Sequence, residues 1–455
     1  MGYEELLERQ RAFFEKGDTL RPDFRICALR KLKGAIRRRE GELNAALKAD
    51  LNKAPDESYL TETGMVLSEL DFAISHLRGW AAPKRRPTPL SQFPARSRVL
   101  PSPYGCTLII SPWNYPFQLA LVPLISALAA GNTAVVKPGE DAPATAIFLE
   151  DLLGEVFDRD YVAVVRGDAA CADSLLDLPF DKIFFTGSPR VGRLVMEKAA
   201  AHLTSVTLEL GGKSPCIVDS SADLALAARR VVFGKFLNAG QTCVAPDYVL
   251  VEEAVREPFL ELLQGEILRQ FGEEPLDNDD YGRLVNKKHF LRVCQLCAGQ
   301  KVYHGGRTDP AHLTLEPTIL VDVDPDSPVM AEEIFGPVLP VLSYRNWEEA
   351  RAVIRRNPEP LALYVFTRRK QFRDRVLKEL AFGGACVNDT VVHLATPYLP
   401  FGGVGGSGMG ACHGKAGFDT FTHHKGVLFR GRTDLDMRYH PYTREKARLV
   451  RLFLR

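Results

Sequence analysis

One cysteine stands apart in this sequence by what surrounds it. In FGKFLNAGQTCVAPDY, residues 233–248, Cys243 directly follows Gly240-Gln241-Thr242, an apolar segment leads in, and Pro246 ends the stretch. Glycine lets a backbone come close to a bound molecule, and a thiol in such a turn can present its sulfur to a reactant as a nucleophile. Alone the stretch is a weak signal, because an intracellular cysteine more often packs as a small hydrophobe. Three further stretches give it weight: SPWNYPF with Asn114, TLELGGKSP with Glu209, and EEIFGPV with Glu333.

The elements that must hold these groups read as alternating strands and helices. From Gly105 the chain gives a strand TLIIS before WNYPF, then a long apolar helix QLALVPLISALAA closed by Gly131-Asn132. A strand TAVVKP, a helix TAIFLEDLLGEVF and the strands YVAVV and KIFFT follow. Strands that are apolar throughout and separated by helices predict a parallel sheet covered on both faces, with ligands beyond the carboxyl ends of its strands. Asn114, Lys137 and Ser188 each fall just past a strand, on that rim. In the helix PRVGRLVMEKAAAH, Ser188 is expected as N-cap and Pro189 as the first helical residue. By pattern alone this is an ordinary cap, although such a terminus also offers free N–H groups to a phosphate.

Residues 3–80 read as helices, with Phe24, Cys27 and Leu32 and then Leu43, Leu47 and Leu51 on their apolar sides. The proline- and arginine-rich segment 81–103 cannot be a helix interior and predicts an extended excursion. Beyond Asp247 a second α/β domain, from DYVLVEE to ALYVFTR, carries the thiol. Two patterns are set aside. The run 403–408 satisfies G-x-G-x-x-G but follows TPYLPF, which is not a strand, and no acidic residue comes at the expected distance. Cys294-x-x-Cys297 has no second pair to complete a zinc site, and His423-His424 has no partner cluster, so no metal site is expected.

At 455 residues the chain has room for two or three domains. Its 58 Lys and Arg balance 57 Asp and Glu, giving a formal charge of +1, so there is no electrostatic case for nucleic acid; the basic runs at 37–39 and 84–86 read as solvated faces. Nine cysteines, an odd number, suggest free thiols in a reducing compartment, hence the cytoplasm. The N-terminus, MGYEELLERQ, reads as neither a signal peptide nor, with Leu6 at position six, a myristoylation site. The C-terminal ARLVRLFLR is too short to span a bilayer. It is expected to be a terminal helix, with Leu449, Leu452 and Phe453 as the residues that could touch an interface.

In order, WNYP, KPGE, FTGSPRVG, ELGGKSP, GQTC, EEIFGPV and LPFGGVGGSGMG resemble the motif series of the NAD(P)-dependent aldehyde dehydrogenases over nearly the whole chain. AGQTCVAPDY and HGKAGFDTF look most like its class 3 branch of fatty-, aromatic- and coniferyl-aldehyde dehydrogenases. The resemblance implies an α/β fold with a parallel Rossmann-type cofactor domain (1–82 and 104–208), an α/β catalytic domain (209–400) and a small bridging element (83–103 and 401–455) used in a homodimer. Cys243 is then the nucleophile that attacks an aldehyde, Asn114 and the Cys243 N–H hold the oxyanion, and Glu209 activates the water that hydrolyses the thioester. The family's cofactor contacts fall on Trp113, Lys137, Glu140, Gly187, Ser188, Gly192, Leu210, Glu333 and Phe335. Lys137 and Glu140 are expected at the adenosine ribose, Ser188 at the pyrophosphate and Glu333 at the nicotinamide ribose. The carboxylate of Glu140 should oppose the 2'-phosphate of NADP, so NAD is expected first and NADP second. Apolar medium- or long-chain and aromatic aldehydes are the expected substrates, with Tyr115, Leu237 and Thr390 as neighbours of the aldehyde. KPGE in place of KPSE, the proline of GSPRVG and Gly406 depart from the family pattern. Two other readings, transfer of the acyl group to coenzyme A and a non-catalytic structural protein, are opposed by Glu209 and by the full set of site residues.

Overall fold

The runs that lack alternation do so because both their faces are covered. Cys106–Ile110 and Thr133–Lys137 are buried at every position and lie at the heart of a six-stranded sheet. Its order is Gly408–Met409, Ser205–Leu210, Lys182–Gly187, Cys106–Ile110, Thr133–Lys137, Val162–Val164, with every neighbour parallel except the first pair. These coordinates are a computed structural model that describes residues 2–434 and 436–454. One face of the sheet packs under Leu32, Leu43, Leu70 and the almost wholly buried helix Gln118–Ala130. The other packs under Leu6, Leu7, Leu175 and Val195.

The expected helices of the N-terminal region form as Tyr3–Glu15, Pro22–Arg38, Glu40–Leu51 and Gly64–Ala81. Between the last two lies a five-residue π-helical turn, Tyr59–Thr63, not foreseen from periodicity; such turns recur at functional sites.

A second, seven-stranded sheet runs Lys301–His304, Thr318–Val321, Val338–Tyr344, Tyr248–Glu252, Pro215–Val218, Ala362–Phe366, Gly384–Val387, parallel except at its first pair. Helices Leu224–Phe236 and Arg256–Phe271 cover one face, and Lys287–Cys297 and Trp347–Ile354 the other. The strand Ser205–Leu210 is continuous across the expected 208/209 division, and the chain enters the second sheet only at Pro215.

The excursion does contain a hairpin: Lys84–Arg86 pairs with Arg96–Pro103. That longer strand pairs in turn with Thr422–Phe429, from Pro103 opposite Thr422 to Arg96 opposite Phe429. The C-terminal segment ends in a helix, Arg444–Phe453, that exposes Leu449 and Leu452. Among the described residues no helix is long and apolar enough to cross a membrane.

Candidate active site

The helix Leu224–Phe236 delivers the chain to a run of left-handed residues, Asn238 (φ 54°), Ala239 (φ 51°) and Gly240 (φ 75°), just before the thiol. Two of these carry side chains, and such backbone persists only where its surroundings over-determine it. Here they do. Asn238 Nδ2 donates to the carbonyl of Asn114 at 2.7 Å, and Asn114 Nδ2 donates to the carbonyl of Gln241 at 2.9 Å. Gln241 Nε2 donates to Arg283 O at 3.0 Å and its Oε1 accepts from Val285 N at 3.0 Å. The Tyr115 hydroxyl meets Thr242 Oγ1 at 2.5 Å. Beneath them Lys53 and Glu62, both fully buried, pair at 2.5 Å, and Lys53 also donates to Asn114 O at 3.2 Å. Removing one partner of such a pair is far more costly than removing a surface ion. The SPWNYPF and GQTC stretches are thus one hydrogen-bonded unit, and Asn114 and Cys243 line the same crevice.

Cys243 lies at the junction of two recesses. One is a crevice of about 490 Å³ lined by Trp113, Asn114, Gly187, Ser188, Glu209, Leu210, Glu333 and Phe335. The other is a narrow cavity of about 120 Å³ lined mainly by apolar groups, among them Leu60, Met65, Tyr115, Leu119, Leu237, Val392, Leu394 and Phe401, with His413 on its wall. Of the expected aldehyde neighbours, Tyr115 and Leu237 line this cavity. Thr390 does not: its hydroxyl donates to Arg230 O at 2.6 Å.

Nine of the twelve expected site residues therefore line the crevice, and three do not. Lys137 ends its strand buried beside it, Glu140 is exposed on the following turn, and Gly192 faces Leu210 from within helix Pro189–Ala200. The departure KPGE has a steric account: a Cβ on Gly139 would sit 2.8 Å from Pro112 C and 2.9 Å from Trp113 N, so this turn packs directly on the backbone that carries Trp113 and Asn114. Ser188 caps its helix, accepting from Val191 N at 3.4 Å, and that helix directs its N-terminus into the crevice.

The electrostatics differ sharply from those of free side chains. Burial, reinforced by the Glu333 and Glu209 carboxylates, holds the Cys243 thiol well above its ordinary range. Burial pushes Glu209 up to about 7, opposed by His413, and Glu209 Oε1 is buried without a hydrogen-bond partner in the protein. Glu333 is pushed up to about 8, again by burial first and Asp247 second. Its carboxylate lies where a Cβ on Gly211 would be, 2.0 Å from Oε2, so only glycine lets this strand end meet it.

Several residues escaped the sequence reading. Arg292 braces the EEIFGPV loop, donating to Glu332 Oε1 at 3.0 Å and to Ile334 O at 2.5 Å. Asp247 anchors the same loop through Lys213 at 2.5 Å and Ile334 N at 3.1 Å. The His289 ring lies 5.0 Å from that of Trp113. Arg292 and His289 sit on the helix noted only for its cysteine pair, one turn apart on the side that faces the crevice. That spacing was the available signal. The rejected glycine run forms a turn and the short strand Gly408–Met409, with Gly408 directly opposite Glu209.

A parallel sheet with a capped helix opening into a polar crevice is the arrangement of a nucleotide-dependent oxidoreductase. Residues 3–427 match the aldehyde dehydrogenase family model, and the chain belongs to that family as an NAD(P)-dependent aldehyde dehydrogenase. It is 45% identical over 448 residues to the 4,4'-diaponeurosporen-aldehyde dehydrogenase of Staphylococcus aureus, covering 98% of this chain and 97% of that one. It is 43% identical over 449 residues to the dimeric NADP-preferring aldehyde dehydrogenase of Rattus norvegicus, covering 98% of each. The solved substrate-bound state of Staphylococcus aureus AldH superimposes with a TM-score of 0.98 at 44% identity over the full length of both chains.

Proposed function

We propose that this enzyme oxidises apolar medium- or long-chain or aromatic aldehydes to carboxylic acids through a thiohemiacetal and then a thioester on Cys243, which water activated at Glu209 hydrolyses. The observation that carries the reading is the place of Cys243, at the meeting point of an apolar cavity and a polar crevice. An aldehyde carbon can approach the sulfur from one recess while a nucleotide lies in the other. Because the thiol is held protonated, attack requires a base, and Glu209, at about 7, can take the proton. The oxyanion is assigned to the Asn114 side-chain amide and the Cys243 N–H; one such donor is worth about a hundredfold or more in rate. Glu209 gives that first proton up to solvent before water adds to the thioester carbon and loses a proton to it; the C–S bond then breaks and the Cys243 sulfur is reprotonated.

The crevice fits a dinucleotide: a free helix N-terminus for phosphate, flat walls at Trp113 and Phe335, and a carboxylate, Glu333, for ribose hydroxyls. When bound, NAD(P)+ supplies the hydride acceptor. Gly187, Ser188 and Leu210 line its path, with Lys137 and Glu140 at the outer edge for the adenosine ribose. Exposed as it is, Glu140 opposes a 2'-phosphate only weakly through water, so NAD is preferred and NADP accepted. The name of the rat relative is consistent with that tolerance. A cytoplasmic homodimer joined through the ribbon of 84–103 and 422–429, with the cofactor part running on through Leu210 and the catalytic part entered at Pro215, completes the proposal.

The test is the initial rate of reduced-nucleotide formation with NAD and NADP in parallel, across aliphatic aldehydes of rising length, benzaldehyde and a cinnamyl-type aldehyde. Turnover that rises with apolar length, with acid released in the absence of coenzyme A, is expected. Dependence on coenzyme A, or no turnover from folded protein with a reactive thiol, would overturn it.

A further inference from the structure

Hydrolysis at Glu209 leaves a proton on a carboxyl group that has no protein partner for its Oε1. Opposite Glu209 in the sheet the chain turns through Gly408 and returns to His413 on the wall of the apolar cavity. His413 is 5% exposed and its Nδ1 lies 3.7 Å from Glu69 Oε2. Glu69 is itself 5% exposed and is fixed by the N–H of Gly414 at 2.7 Å. The imidazole is wedged against Phe401, ring centroids 5.6 Å apart, and its backbone is held at φ 66°. A left-handed non-glycine residue that is buried, beside a buried carboxylate and lining the reaction cavity, is a placement that packing alone does not require.

We propose that His413, oriented by Glu69, is the relay that removes the proton from Glu209 after each hydrolysis; this rests on the hydrolytic reading above. Water adds to the thioester carbon as its O–H bond breaks and the proton goes to Glu209. The C–S bond then breaks, its electron pair goes to Cys243, and that sulfur takes a proton from solvent. The His413 ring accepts the proton from Glu209, directly or through one water, beside the Glu69 carboxyl group, and releases it along the cavity to solvent. Nothing is oxidised or reduced in these steps. The ionisable groups facing the ring are Glu69 from helix Gly64–Ala81, Glu209 from strand Ser205–Leu210, His393 from the turn Val392–Ala395, and Cys412 beside it. Burial raises Glu209 and His413 opposes it, so removing the histidine should move the acid limb of hydrolysis upward in pH.

The experiment is rapid mixing of the full chain with NAD and decanal from pH 5.5 to 9, for the native protein, His413→Asn and Glu69→Gln. Asparagine tolerates the left-handed backbone, and glutamine keeps an acceptor for Gly414. The burst of reduced nucleotide should persist in both variants. The following thioester hydrolysis should slow about tenfold or more, and its acid limb should rise in both. Added imidazole should restore hydrolysis in His413→Ala but not in Glu209→Gln. Hydrolysis with an unchanged rate and acid limb in both variants, or failure of imidazole to rescue His413→Ala, would overturn the relay. Absence of any aldehyde-dependent burst in the native protein would instead remove the hydrolytic reading beneath it.

Discussion

The two recesses that meet at Cys243 are built on opposite principles. The crevice gathers polar groups whose ordinary charges are suppressed: Glu209 and Glu333 are both raised by burial, and the loop that carries Glu333 is pinned by Arg292 and Asp247. The cavity gathers Leu, Met, Val and Phe and reaches the surface at Leu60 and Val392, which are 56% and 46% exposed. Fixed dipoles and restrained charges suit a nucleotide and a developing oxyanion, because they cost no reorganisation during reaction. A non-directional apolar wall suits a substrate tail, whose binding scales with area. On the proposed function, the difference puts chemistry and selectivity on separate surfaces, so each can be altered alone.

The largest expected effect removes the point where the surfaces meet. Cys243→Ala should lower turnover of every aldehyde by about a thousandfold or more while leaving nucleotide binding, read by fluorescence quenching, in place. A Cys243→Ala protein that turns over normally would break the comparison altogether.

Next is Glu209→Gln, which should slow both the burst of reduced nucleotide and steady turnover by about a hundredfold. In the native protein turnover should rise with pH through about 7 as Glu209 ionises. Stability should move the other way. The folded state holds this proton more tightly than the unfolded chain, at about 7 against 4.5. The contribution is therefore present below pH 4.5 and is lost as pH rises through 7, by about 3 kcal/mol. Glu209→Gln should melt higher than the native protein at pH 9, with the gap closing toward pH 5.

The smallest effect sharpens the other recess. Val392→Trp at the cavity mouth should displace about two methylenes of a long tail, about 0.8 kcal/mol each. That lowers kcat/KM for dodecanal about tenfold, with propanal within about twofold. Equal losses for both aldehydes would mean that the cavity does not hold the tail.

What could be read from the sequence was whatever a short stretch can encode. The buried strands, the Ser188 cap and the motif residues at strand ends have local signals, and most of them meet in one place. Lys137, Glu140 and Gly192 belong to the same motifs but stand off the crevice wall, because a motif records which residues travel together and not which way each side chain faces. The Lys53–Glu62 pair and the contact of Glu69 with Gly414 were invisible. A charge buried by a partner 345 residues away leaves no trace in its own neighbourhood. The thiol's environment was likewise hidden, since burial and two carboxylates on separate segments set it jointly.

The strand Arg96–Pro103 has its long partner at Thr422–Phe429, nearly at the other end of the chain. At about 5–20 residues per second of synthesis, the first strand waits for tens of seconds before the second has been made. The first sheet has the same gap, since Gly408–Met409 closes its edge beside Glu209. A ribosome that stalls before residue 408 therefore leaves a nascent chain with Cys243 already made and the strand edge at Glu209 still uncovered. Completion of the site is a late, terminal event in the life of the polypeptide.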